Sequence, residues 1–403
     1  MESAKSHNNK ESDLWLKAAV VGGLWASLEI IIGSFLHNAR LPMAGSTLAF
    51  FGTILLIGYY QLWPQRGLII RAGLITAIMK SVSPSAIILG PMMGIMLEAI
   101  LIELVILILG RNFIGYLIAG IFSVSSALFY KIFSMIVFYG YDLIQVYINV
   151  INFGLKQLRI DEAEPVQVLT VLLVFYTLLG TIAATLGYYA GRKAVLISQE
   201  YSGVGIKENH IPKNDFFKIE DNQHTSIPML FVHIIAIPLG LFLLNVSDGK
   251  YGYLFVTAYI FVIGYRYRFA LRRLRKPIFW VQLILIVALS ALFWKNDKDE
   301  VVLFQLEGMY AGIEMMVRAL FVVVGFSAIS VELRNSKVKL FLMKVGMGKF
   351  YQSIGLAFSA LPEMISLLPK SKEIIKHPVR SLLLPLAMAD SWLQFFKEKQ
   401  SSS

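Results

Sequence analysis

Apolar positions in this chain run in long unbroken stretches, not in the alternation of a strand or the single stripe of a surface helix. A bilayer core of about 30 Å takes roughly 20 helical residues to cross. Stretches that reach or approach that length are 15–37, 43–62, 67–83, 85–110, 113–138 and 166–191, then 227–245, 251–265, 278–294 and 303–331. The pattern predicts an all-α, polytopic membrane protein of about ten transmembrane helices, with the stretches at 67–83 and 251–265 short for a span. Residues 1–14 are polar and mixed in charge, and they read as a disordered tail before a first span instead of a cleaved signal peptide. Between 192 and 226 the apolar pattern gives way to QEYSGVGIKENHIPKNDFFKIEDNQH, a polar linker that divides the chain into 15–191 and 227–403.

Composition agrees with that class: 57% of the 403 residues are hydrophobic and 16% charged. Cysteine is absent, which excludes disulfides, thiolate metal sites and cysteine nucleophiles. The net charge of +11 is read as Lys and Arg collected in cytoplasmic loops against anionic lipid, with no nucleic-acid partner. The loop 266–276, RYRFALRRLRK, holds six basic residues and no acid, so it is placed in the cytoplasm. Counting spans from there puts the linker and both termini inside, in a multi-pass protein of the cell membrane. The acidic stretches at 161–165 and 295–300 then fall outside, as do the basic exceptions Arg40 and Lys80.

After the tenth stretch, residues 332–403 carry eleven Lys or Arg against five Asp or Glu. Apolar clusters alternate there with basic residues at helical spacing, and Pro362, Pro369, Pro378 and Pro385 are expected to divide the region into short helices. Such helices lie along a membrane surface or pack on a partner. Two readings stand: an interfacial anchor, or a platform that passes motion to a soluble protein.

Certain segments resemble components of energy-coupling-factor (ECF) vitamin transporters. FLHNARLPMAGSTLAFFG and PSAIILGPMMGIMLEAILIELVILILGRN resemble the substrate-binding S component, within residues 15–191. MVRALFVVVGFSAISVELRNSKVKLFLMKVGMGKFYQSIGLAFSALPEM resembles the transmembrane T component, and 227–331 would be its four membrane helices with 332–403 its coupling helices and tail. The resemblance implies two components fused end to end. It also implies a small vitamin-like or metal-ion substrate, and ABC-type ATPase subunits on separate chains at the cytoplasmic face. T components dock those ATPases through two short Ala-Arg-Gly or Ala-Arg-Ser signatures, and neither stands in this sequence. Arg334, Lys370 and Arg380, with Glu363 beside Pro362, are the charged positions left for that contact.

In S components of that family, small residues four apart on the first helix seat the T component. Here the spacing occurs twice, as Ala18, Gly22, Ala26 and as Ala19, Gly23, Ser27. Small residues let backbones close where lipid gives no hydrophobic drive, and tight packing within one bundle selects the same residues. Gly90/Gly94 and Gly308/Gly312 are read as internal packing.

Ionisable residues at membrane depth face a cavity, a partner or a packed interior. Glu29, His37, Asn38 and Lys80 are expected to converge near the outer leaflet as the substrate site, against an alternative of snorkelling side chains and a structural Glu29 bond. The segment 139–165, opened by Asp142 and Gln145, is expected outside, where it would close over that site. Glu98 and Glu103 are about 140° apart on one helix, which argues against a paired couple and for structural bonds to Arg71 or Lys131. No GxSxG, HExxH, Walker A or GxGxxG pattern is present, and the six histidines have no helical partner, so no catalytic residue, metal site or cofactor is assigned. Two other classes remain beside the ECF reading: a secondary carrier or channel, and a membrane enzyme acting on lipids.

Overall fold

The computed structural model of the chain describes residues 2–38, 43–82, 89–140, 142–157, 165–201, 226–246, 250–268, 271, 274, 277–294, 305–333, 348–367 and 378–402. Its elements there are helices. In chain order they are α1 Glu2–Asn38, α2 Ala44–Leu62, α3 Leu68–Val82, α4 Leu89–Leu109, α5 Phe113–Tyr139, α6 Asp142–Gln157 and α7 Pro165–Tyr201. They continue with α8 Ile227–Val246, α9 Lys250–Arg266, α10 Pro277–Phe293, α11 Leu306–Leu333, α12 Gly348–Leu367, α13 Pro378–Ala387 and α14 Ala389–Ser402.

Six of these are long and apolar enough to cross a bilayer: Glu11–Gly33, Ala44–Leu62, Gly90–Leu109, Phe113–Tyr139, Val166–Leu196 and Leu306–Ile329. Pro228–Leu244 and Phe279–Phe293 are apolar but shorter. The chain is therefore an all-α, multi-pass membrane protein. The faces of α7 and α8 that carry Val171, Val174, Leu178, Phe231, Ile235 and Phe242 stay uncovered by protein, as lipid-facing surface requires.

Local sequence explains several boundaries. The Asn112 side chain accepts from the Gly115 amide at 2.7 Å and caps the start of α5, and Gly140 ends that helix at φ +84°. Residues 2–14, expected as a disordered tail, are the first turns of α1, and Asp13 pairs there with Lys17 at 2.6 Å and Lys397 at 2.9 Å. Pro362 and Pro385, expected to break the C-terminal region, sit inside α12 and α13. Each removes one backbone bond, but neighbouring Leu361, Met364, Leu386 and Ala387 are buried, so packing holds the helices through the proline.

Packing divides the chain differently from its linear order. Helices α1 to α5 and α7 form one bundle, and α8 to α11 form a second whose core includes Val256, Tyr259, Phe321 and Val322. Helix α6 does not lie over Glu29 and Lys80. It packs on α10, α5 and α11, where Asn149 donates to the Phe293 carbonyl at 2.7 Å and Leu143 and Val146 meet Met315. Helices α12 to α14 then leave the second bundle and return to the first. Phe350, Phe358, Met364, Leu386, Trp392 and Phe396 share one core with Val20, Leu24, Tyr59 and Ile75.

Candidate functional site

The first bundle buries charge at membrane depth. Lys80, at the end of α3, reaches across to α1, where its Nζ lies 3.3 Å from Glu29 Oε2 and donates to the Glu29 carbonyl at 2.8 Å. Glu29 is 4% exposed, and one ammonium meets both its carboxylate and its backbone. Of the four residues expected to converge, the structure brings these two together as an ion pair. His37 and Asn38 form the last turn of α1, and their side chains lie outside the described residues.

One turn deeper lies a carboxylate that the sequence pattern assigned to structure. Glu98 of α4 is 7% exposed, and its Oε2 has no hydrogen-bond partner. Trp25 of α1 is fully buried, and its indole Nε1 is also without one. Both atoms converge on Gly52 of α2: a Cβ there would lie 2.9 Å from Trp25 Nε1 and 3.3 Å from Glu98 Oε2. Trp25, Gly52 and Glu98 each lie eight residues from the same end of their span (Gly33, Ala44 and Gly90), about 12 Å at 1.5 Å per residue. Gly33 packs beside Lys80 Nζ and Leu48 at that end of α1, α2 and α3, and the meeting of Trp25 and Glu98 at Gly52 sets α4 in the same register. A charged carboxylate in mid-bilayer costs roughly 2.5–3.5 kcal/mol on insertion scales, and leaving a buried polar atom unpaired costs about 1–3 kcal/mol more. Single unpaired buried atoms also occur at Tyr60, Arg71, Ser125 and Asn152; at Gly52 a free acceptor and a free donor lie together.

Glu103, five residues on, behaves as expected of a structural group, but through other partners than Arg71 or Lys131. Its carboxylate accepts from the Gly67 amide and, at 2.8 Å, from the Ile70 amide, which satisfies the open N-terminus of α3. The two glutamates thus differ in role. The turn at Gly67, with φ +81°, aims amides at position 103 and leaves position 98 facing Trp25. Sequence held one available signal, the absence of a charged residue between Ala44 and Leu62 on the helix that Glu98 faces.

The two small-residue registers of α1 separate. Gly22 faces α3: a Cβ there would meet the Ala72 carbonyl at 2.8 Å, and the Thr76 hydroxyl bridges to the Gly22 carbonyl at 2.9 Å. Ala18 and Ala26 are buried in the same core, but Gly22, expected with them to seat the T-like region, packs within the first bundle instead. Gly23, one residue on, faces α12, where a Cβ would lie 2.8 Å from Met364 Sδ and 3.7 Å from Ala357 Cβ. Lys349 pairs with Glu11 at 3.0 Å, and the Trp15 and Phe350 rings are 5.3 Å apart. Helix α12 therefore runs parallel to α1 from Glu11 to Gly23, about 18 Å along its axis. It does not lie flat at a surface. Helices α13 and α14 are tied as closely, with Tyr59 donating to the Pro385 carbonyl at 2.6 Å and Trp63 Nε1 to Asp390 at 3.3 Å. Of the positions proposed for ATPase contact, Glu363 is half-buried on α12 and Arg380 lies in α13 with its side chain undescribed. Arg334 and Lys370 lie outside the described residues.

The second bundle has its own buried polar group, and spacing along the sequence gave no sign of it. His233 of α8 is bracketed by Tyr259 OH at 2.8 Å and Tyr267 OH at 3.2 Å. Tyr267 donates to Glu332, which also accepts from the Ser226 amide at 2.9 Å. Every member has a partner, so this cluster joins the ends of α8, α9 and α11. Among the described residues no three His, Asp or Glu side chains stand where they could hold a metal ion.

No protein-family model, curated protein or solved structure matches the chain.

Proposed function

We propose that the chain is the membrane subunit of an ECF-type ABC importer, in which residues 15–191 bind a small solute and residues 227–403 link that bundle to separate ATPase subunits. About ten crossings are part of this reading: the six long apolar helices together with α3, α8, α9 and α10, with both termini in the cytoplasm. One observation supports it above the others. The Gly23 face of α1 seats Met364 and Ala357 of α12, a helix from the C-terminal region. Small residues on a first helix seating a coupling helix are what the fused S–T arrangement calls for. Close backbone approach makes that contact stiff enough to carry displacement from a soluble motor into the spans.

The unpaired Glu98 favours a second reading, a carrier driven by an ion gradient. One experiment separates the two. The tagged full chain is isolated from its native membranes and its co-purifying proteins are identified by mass spectrometry. The importer reading expects an ABC-type ATPase, lost when Arg334, Lys370 and Arg380 are replaced together by Ala in a chain that still folds. An intact wild-type chain that brings down no ATPase overturns it in favour of the carrier.

A further inference from the structure

We propose that the Trp25–Gly52–Glu98 cluster binds a single positive charge, the protonated amine of a small solute that also carries a hydrogen-bond acceptor. In the absence of solute, a proton on Glu98 takes its place. The inference rests on reading the first bundle as the solute-binding unit, and it names the class of solute.

Charge balance comes first. Around Glu98 the charged groups are Glu29 on α1 and, through it, Lys80 on α3. Helix α2 offers no charge between Ala44 and Leu62. On α5, Tyr130 lies against Gly94, a turn from Glu98, and Lys131 is exposed. Lys80 is committed to Glu29, so the cluster retains one negative charge about 12 Å inside the span. A low-dielectric interior does not hold that charge uncompensated; it takes up a proton or a monovalent cation.

Geometry then restricts the cation. Glu98 Oε2 offers a free acceptor and Trp25 Nε1 a free donor, and the two close on Gly52, where even a Cβ would lie 3.3 and 2.9 Å from them. A bare metal ion would use the carboxylate and waste the indole N–H. A protonated amine with a hydroxyl or carbonyl nearby satisfies both, and the indole ring adds a cation–π face. Both atoms are enclosed, so loading parts α2 from α1 and α4 at Gly52. Exchange is balanced: the ammonium enters ionised, Glu98 becomes a carboxylate, and its proton leaves to solvent.

The test uses the full chain in lipid nanodiscs at neutral pH and weak buffering. The probe is 2-aminoethanol, with ethylamine, ethylene glycol and acetate as comparisons. Infrared difference spectra should show a protonated carboxylic acid band that Glu98→Gln removes. Adding 2-aminoethanol should abolish that band and release a stoichiometric amount of proton, while ethylene glycol and acetate do neither. Trp25→Phe should keep the band and erase the preference for 2-aminoethanol over ethylamine, expected at about tenfold. A band that no amine moves would make Glu98 a permanently protonated structural group and overturn the proposal. No band in the wild-type chain would overturn it equally, since the charge would then be balanced within the protein. Neither result depends on an ATPase. Proton exchange without a co-purifying ATPase sinks only the coupling reading, and a recovered ATPase without exchange sinks only the solute class.

Discussion

Two buried polar clusters, one in each bundle, are built from similar groups and end in opposite states. In α8–α11, Glu332 accepts from Tyr267 and the Ser226 amide, and His233 is held by Tyr259 and Tyr267. In α1–α4, Glu98 and Trp25 come together at Gly52 with a free acceptor and a free donor. The first cluster has spent its hydrogen-bonding capacity on joining helix ends. The second holds its capacity in reserve, beside an ion pair that is already closed. Burial is common to both clusters; what differs is that one is closed and the other keeps an acceptor and a donor side by side.

The largest expected effect tests the satisfied cluster. Glu332→Ala strands the Tyr267 hydroxyl and the Ser226 amide, and it should destabilise the folded chain by about 3 kcal/mol, read as a lowered Tm in detergent. An unchanged Tm would mean that this cluster does not hold the second bundle.

Next comes the seam between the regions. Gly23→Leu drives a side chain into Met364 and Ala357, at a cost of about 1–3 kcal/mol. The chain has no cysteine, so Glu11→Cys with Lys349→Cys gives a clean pair for a bis-maleimide linker that reports α1–α12 docking. The linker should bridge that pair in the parent and fail to do so once Gly23→Leu is added. Cross-linking that persists would show the seam to be held elsewhere along α12.

A smaller effect is expected of Tyr59→Phe. It removes one hydrogen bond to the Pro385 carbonyl and should lower stability by about 1 kcal/mol, measured by the same thermal scan. The smallest belongs to Glu98→Gln, which keeps the side chain's shape and breaks no hydrogen bond at Oε2. The Tm should shift by no more than about 0.5 kcal/mol equivalent. A loss as large as that of Glu332→Ala would erase the contrast between the clusters.

Much of the helix pattern was legible because it depends on local facts. Stretches such as 113–138 and 166–191 are apolar over a bilayer's thickness; α5 follows the first within a residue, while α7 runs ten residues past the second to Tyr201, into the stretch expected as linker. The pairing of Glu29 with Lys80 was half legible, since both were expected near one end of the bundle, though as ligands to a solute and not to each other. The different fates of Glu98 and Glu103 were not legible. Both are glutamates on one helix, and only the turn at Gly67, folded against α4, makes a capping group of Glu103. The path of α6 was hidden in the same way. Its amphipathic pattern fits any apolar neighbour, and the Asn149 bond to α10 becomes visible only in three dimensions.

By itself, the sequence determined that this is an all-α membrane protein, where its long apolar helices run and which of them carry charge. Those properties follow from composition over about 20 residues and from the thickness of lipid. Tertiary structure decided which small-residue register meets α12, that the C-terminal helices return to the first bundle, and which carboxylate is left free. Within lipid, apolar surface prefers no partner, so helix pairing turns on shape and on polar groups finding one another. The one-residue step from Gly22 to Gly23 rotates the contact by about 100°, from α3 to α12, and no count along the chain says which helix will be waiting there.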